Sequence, residues 1–207
     1  MKKKLFSFSL LLAATVIISC NNDGKSDAGD NDTADDMSTG TVTTDTGTTM
    51  GTTGTPGANP NDTLGLEDRK FVMEAASGGM MEVEAGRLAE QTANNARVKS
   101  FGAMMVRDHS AANEQLRAVA SSRNMTLPDS MMKKHRDHLE SLRSKTGAAF
   151  DKQYMSMMVT DHNEDVNKFQ VASNNAKDTA VKGFATRTLP VLRMHKDSAT
   201  AINKNLK

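Results

Sequence analysis

Four long stretches of this sequence repeat their apolar residues at intervals of three and four, and none alternates as a strand would. The first stripe is Phe71, Ala75, Gly78, Ala85 and Ala89. The second is Val98, Phe101, Met105, Ala112, Leu116 and Val119. The third is Phe150, Tyr154, Met158, Val166 and Phe169, and the fourth is Val181, Phe184, Thr188, Val191, Ala199 and Ile202. This spacing predicts helices from about Leu66 to Asn94, Asn95 to Arg123, Ala148 to Asn175 and Asp178 to Leu206. Glu67 and Asp68 in the first turn complement the dipole of the first helix. Pro128 ends the second pattern, and Asp129 or Ser130 is placed to cap a short extra helix ending near Gly147.

The expected fold is therefore all-α. Four amphipathic helices of similar length bury their stripes against one another as a bundle. The short helix falls in the connection between the second and third long helices. A connection of that length can cross from one end of the bundle to the other, as in ferritin-like four-helix bundles. An internal repeat agrees with this plan. Asn94-Asn95-Ala96 and Val98-Lys99-Ser100-Phe101 resemble Asn174-Asn175-Ala176 and Val181-Lys182-Gly183-Phe184. Two features strain the helices: Gly78-Gly79 in the first, and Pro190 in the last, where a backbone hydrogen bond is lost. The glycines equally suit close helix contact, and the proline a tolerated kink.

Each stripe is interrupted by one polar residue near its middle. Met104-Met105-Val106-Arg107-Asp108-His109 recurs as Met157-Met158-Val159-Thr160-Asp161-His162, which puts His109 and His162 on apolar faces. His195 and Glu82 occupy the matching places on the last and first helices. Midpoints share one layer whichever way the helices run, so these four side chains can meet inside the bundle. Buried imidazoles and carboxylates need partners. Three imidazoles and one carboxylate suit iron, zinc, copper or manganese better than calcium or magnesium. A polar layer in which Glu82 is hydrogen-bonded to the histidines accounts for the same residues without metal.

Asp108 and Asp161 each precede a histidine by one residue, about 100° around the helix. They fall at helix seams, where each is placed either to accept from a neighbouring imidazole or to face solvent. Asp165 and Glu164 follow His162 closely, and Glu164 is expected to face solvent. The chain has 15 methionines, one tyrosine and no tryptophan. Met105, Met158 and Met194 near the histidines fit soft metal ligands or ordinary core filling. Nothing marks a haem pocket, a catalytic nucleophile or a phosphate-binding loop. No enzymatic role is called for.

The chain begins with Lys2, Lys3 and Lys4 followed by an apolar run, Leu5 to Ile18, too short for an ordinary membrane span. Ile17-Ile18-Ser19-Cys20 resembles a bacterial lipobox, with Ile17 where leucine is usual. The expected organisation is a signal peptide at 1–19, a lipidated Cys20 opening an acidic Thr/Gly/Asp-rich disordered tether at 20–63, and the bundle at 64–207. The single cysteine excludes an intramolecular disulfide. The formal net charge is +1 and falls to −2 without the three leader lysines. This balance gives no reason to expect a nucleic-acid partner.

The segments Ala75-Ala76-Ser77-Gly78-Gly79-Met80-Met81-Glu82-Val83-Glu84-Ala85-Gly86-Arg87-Leu88-Ala89, Val98-Lys99-Ser100-Phe101 through Asp108-His109, Phe150-Asp151-Lys152-Gln153-Tyr154, Asp161-His162 and Thr188-Leu189-Pro190-Val191-Leu192 with His195 together resemble a bacterial exported family known as domain of unknown function 4142. The resemblance spans Leu66 to Leu206. It implies a ferritin-like bundle and an envelope, outer-membrane setting facing the periplasm or the cell surface. The likeness to ferritin-like di-iron proteins is poorer, because those carry a Glu three residues before the ligand histidine. Val106, Val159 and Leu192 stand there instead. The leading expectation is a membrane-anchored envelope lipoprotein with a mononuclear transition-metal site at Glu82, His109, His162 and His195, acting as a metal-binding or stress-related accessory protein. The rivals are a metal-free module that binds an envelope protein, and a metal oxidoreductase with an open coordination position.

Overall fold

The computed structural model describes residues 62–206, which are helical wherever they are regular. The helices are α1 (Leu66–Thr92), α2 (Ala96–Ser121), α3 (Lys133–Arg143), α4 (Gly147–Asn175) and α5 (Thr179–Asn203). The expected signal segment, Cys20 and the tether lie outside the described residues, apart from Asp62 and Thr63.

Two buried aspartates fix the topology. Asp151, near the start of α4, accepts from the backbone N–H groups of Asn94 and Asn95 at 3.0 and 2.8 Å. The α4 helix therefore begins at the end where α1 and α2 join. Asp68, near the start of α1, accepts from the N–H groups of Lys177 and Asp178 at 3.0 and 2.7 Å. So α1 begins at the opposite end, where α4 and α5 join. Helices α1 and α5 run one way, and α2 and α4 the other. The α2–α4 connection spans the length of the bundle, with α3 resting on α1 and α4. This is the ferritin-like arrangement of two hairpins joined by a long crossover. The side chains of Asn95 and Asp178 cap α2 and α5 by accepting from the first-turn N–H groups.

The short helix starts later than its sequence suggests. Asp129 and Ser130 do not cap it; Met132 is the N-cap residue and makes no side-chain cap. The hydroxyl of Ser77 on α1 instead accepts from Met132 N–H at 2.7 Å and donates to His135 Nδ1 at 2.6 Å. A tertiary contact, not a local cap, fixes the start of α3. The last stripe also shifts: Val191 is 37% exposed, while Leu189, Leu192 and His195 are buried.

Both suspected weak points lie within continuous helices. A Cβ at Gly79 would fall 2.1 Å from Asn113 Oδ1, so this glycine admits the α2 side chain. Gly86 and Gly102 bring backbones together: a Cβ on either would lie 2.7 Å from the other's carbonyl oxygen. Two apolar clusters fill the interior. One includes Val72, Leu116, Phe169 and Phe184; the other includes Met81, Phe101, Met105, Phe150, Tyr154 and Met158. The layer between them is polar.

Candidate metal centre

Each long helix delivers one side chain to that layer, and Glu82, His109, His162 and His195 are all buried there. The three imidazoles cluster tightly. Ring centroids lie 5.6 Å apart for His109 and His162, and 5.3 Å apart for His195 and each of the others. One ligand atom from each ring can be chosen so that all three lie within 4.8 Å of one another.

The two nitrogens of each ring do different things. His109 Nδ1 lies 2.8 Å from Glu82 Oε2. His162 Nδ1–H donates to the Met158 carbonyl at 2.9 Å, one helical turn back. His195 Nε2–H donates to Asp108 Oδ2 at 2.9 Å. The other nitrogens, His109 Nε2, His162 Nε2 and His195 Nδ1, are buried and have no hydrogen-bond partner. Leaving a buried polar atom unsatisfied costs about 1–3 kcal/mol. Three clustered rings, each oriented by an oxygen acceptor on one nitrogen and keeping one buried nitrogen without a protein partner, offer the donor set of a metal site.

The polar residues behind the rings divide by role. Glu82 holds the outer nitrogen of His109, and its Oε1 stands 3.5 Å from His162 Nε2 without a hydrogen bond. Asp108 holds His195 and is itself held by Arg107 through bonds of 2.8 and 3.1 Å. Asp161 turns away from the triad toward α3, with Oδ1 3.6 Å from His138 Nδ1. Met105 and Met158 are fully buried filler, whereas Met194 is 45% exposed. Neither the Met158 carbonyl nor the Ser77–His135 pair was legible in the sequence. The first is a backbone atom, and the second joins residues from helices far apart in the chain.

Burial governs the protonation states. It lowers His109, His162 and His195 from 6.5 to about 4. The rings are thus neutral at ordinary pH, the form that binds a metal. Burial pushes Glu82 up to about 7 against the pull of His162. It raises Asp165 well above the ordinary carboxylate range, with the nearby Glu82 adding to the rise. Burial alone would raise Asp108, but its bonds to Arg107 and His195 hold it below its ordinary value.

Chemically, three neutral nitrogens can hold a borderline or soft cation and leave a coordination position open. A metal about 2.0–2.1 Å from each nitrogen needs them roughly 3.5 Å apart, so loading would draw the rings together by up to about an ångström.

Two solved structures share the fold. A DUF305 fragment from Deinococcus radiodurans superposes with a TM-score of 0.61 at 11% identity, covering 69% of this chain and 99% of that one. CopM in the Cu(II)-bound form superposes with a TM-score of 0.58 at 14% identity, covering 68% of this chain and 97% of that one. No curated protein matches the sequence significantly. The family described as "Domain of unknown function (DUF4142)" matches residues 53–202, most of the chain and every residue of the candidate site, and the protein is a member of that family.

Proposed function

We propose that this protein is a cell-envelope lipoprotein whose bundle holds a single transition-metal ion through His109, His162 and His195. The observation that carries the reading is the convergence of three buried, unpartnered imidazole nitrogens, each on a ring anchored from behind. In this reading Glu82 and Asp108 orient His109 and His195, and the Met158 carbonyl orients His162. Glu82 is also near enough to become a fourth ligand if its carboxylate turns toward His162 Nε2. Such a domain stores, buffers or hands on a metal rather than turning over a substrate. Copper is the first ion to test, because CopM, which shares the fold, was solved with Cu(II); zinc, iron and manganese come after it. The lipobox-like Ile17-Ile18-Ser19-Cys20 supports a membrane anchor.

A metal-free polar layer explains the Glu82–His109 and Asp108–His195 pairs. It does not explain why three further nitrogens in the same layer lack partners, at about 1–3 kcal/mol each. Elemental analysis of residues 64–207, purified without a histidine tag from metal-supplied cells, separates the two. About one ion per chain, abolished by His109→Ala/His162→Ala with helicity retained, is the expected result. A folded, metal-free wild-type domain would make the layer structural and redirect the search to protein partners.

A further inference from the structure

A site sealed among four helices needs a way in. On the α1–α4 face, past the edge of α3, lies an open groove of about 460 Å³. Sharing part of its lining is a small cavity of about 20 Å³, room for about one water-sized particle. Glu82 and His109 line that small cavity, so it touches the histidine layer. Ala75, Gly78, Asp165 and Phe169 line both the groove and the cavity, and therefore form the partition between them.

The partition is thin at Gly78 and polar at Asp165. Gly78 has no side chain, and a Cβ there would meet only His135, at 3.8 Å. Asp165 is the one carboxylate with a surface on each side. Oxygen donors for a cation line the groove at Glu67, Glu74 and Asp165, with Lys70 and Lys168 beside them and Glu74 paired to Lys134 and Lys168. The other polar seam reaching the layer, at Asp108, is occupied. Arg107 engages both of its oxygens, and His195 takes one of them as well.

Resting on the metal-binding reading above, we infer that a cation enters through the α1–α4 groove, passes Gly78, and is handed by Asp165 to the Glu82–His109 side of the triad. Asp165 is then a residue of the route and not a resident ligand. A route residue changes the rates of entry and exit together and leaves the affinity in place.

The test uses the full chain in detergent and Co²⁺ alone, with uptake followed by ligand-field absorption and release followed on adding chelator. Asp165→Asn removes the ionisable carboxyl group at constant shape, and Gly78→Leu fills the opening. Glu114→Gln, exposed on α2, is the control. Both route variants should slow uptake and release by about tenfold or more, with unchanged stoichiometry and dissociation constant. Unchanged rates in Asp165→Asn overturn the route. So does a change in affinity carried by release alone, which would make Asp165 a support of the bound state. If Gly78→Leu does not fold, Asp165→Asn decides by itself. A wild-type chain that takes up neither Co²⁺ nor, in a second run, Cu²⁺ defeats the metal reading, and the route with it; a wild type that loads while both variants load equally fast defeats only the route.

Discussion

The two hairpins, α1–α2 and α4–α5, follow one plan at their ends and different plans in the middle. The same sequence interval separates Asp68 from Asp151, Asn95 from Asp178, Val98 from Val181 and Phe101 from Phe184. In each pair the two residues do the same work. Asp68 and Asp151 each tie down the turn of the opposite hairpin, Asn95 and Asp178 cap the second helix, and the Val and Phe are buried. Glu82 and Asp165 are separated by that interval too, so the same plan reaches this carboxyl pair. At the centre the symmetry fails. His162 corresponds by position to Gly79, and His195 stands three residues beyond the counterpart of His109. The frame is thus symmetric because both ends must solve the same turn-capping problem. The site is asymmetric because three ligands cannot obey a two-fold axis unless one lies on it.

The largest effect expected from breaking this comparison is at the asymmetric centre. Burial lowers all three histidines to about 4, so protons compete with metal only as the pH falls toward that value. A loaded protein should keep its ion at pH 5.5, where a site of ordinary histidines near 6.5 would already be losing it. Dialysis across pH 7 to 3.5 with elemental analysis checks this, and release centred near 6.5 would contradict it.

Next in size is the inter-helix contact. Hairpin one joins its helices at Gly86 and Gly102, where hairpin two has Phe169 and Ala185. A Cβ at Gly86 runs into backbone, which cannot yield as a side chain can, so Gly86→Ala should destabilise by about 3 kcal/mol. Denaturant titration of the metal-free protein measures it, and a loss below about 1 kcal/mol would mean the helices can part cheaply.

The turn anchors should be equal. Each of Asp68 and Asp151 accepts from two backbone N–H groups of the opposite turn with a buried carboxyl group. Removal of either by Asp→Ala should cost about 2–3 kcal/mol. A large inequality between Asp68→Ala and Asp151→Ala would show that one end of the frame carries the fold. The smallest effect is at Gly78, where the space is free. Gly78→Ala should stabilise by about 0.5–1 kcal/mol through helix propensity, a small rise in the denaturation midpoint. Destabilisation there would mean that the opening beside His135 is narrower than its geometry indicates.

Much of this was legible from the chain alone. Periodicities of three and four set the number of helices, because burying one stripe per helix is the only way these segments can shed their apolar surface. One polar residue in the middle of each stripe announced the layer that holds Glu82, His109, His162 and His195, since helix midpoints coincide in any bundle topology. What the sequence could not decide is which atom faces which. Only packing chose the outer nitrogen of His109 for Glu82, gave His195 to Asp108, and sent Asp161 to α3, because the seam an aspartate occupies depends on helix rotation and neighbour. Packing likewise moved the start of α3 to Met132, where a serine from a distant helix outcompetes local caps, and put Asp165 between groove and cavity. Linear spacing fixes the depth of a residue along its helix; the direction of its side chain is settled only when four helices have turned to fill one interior.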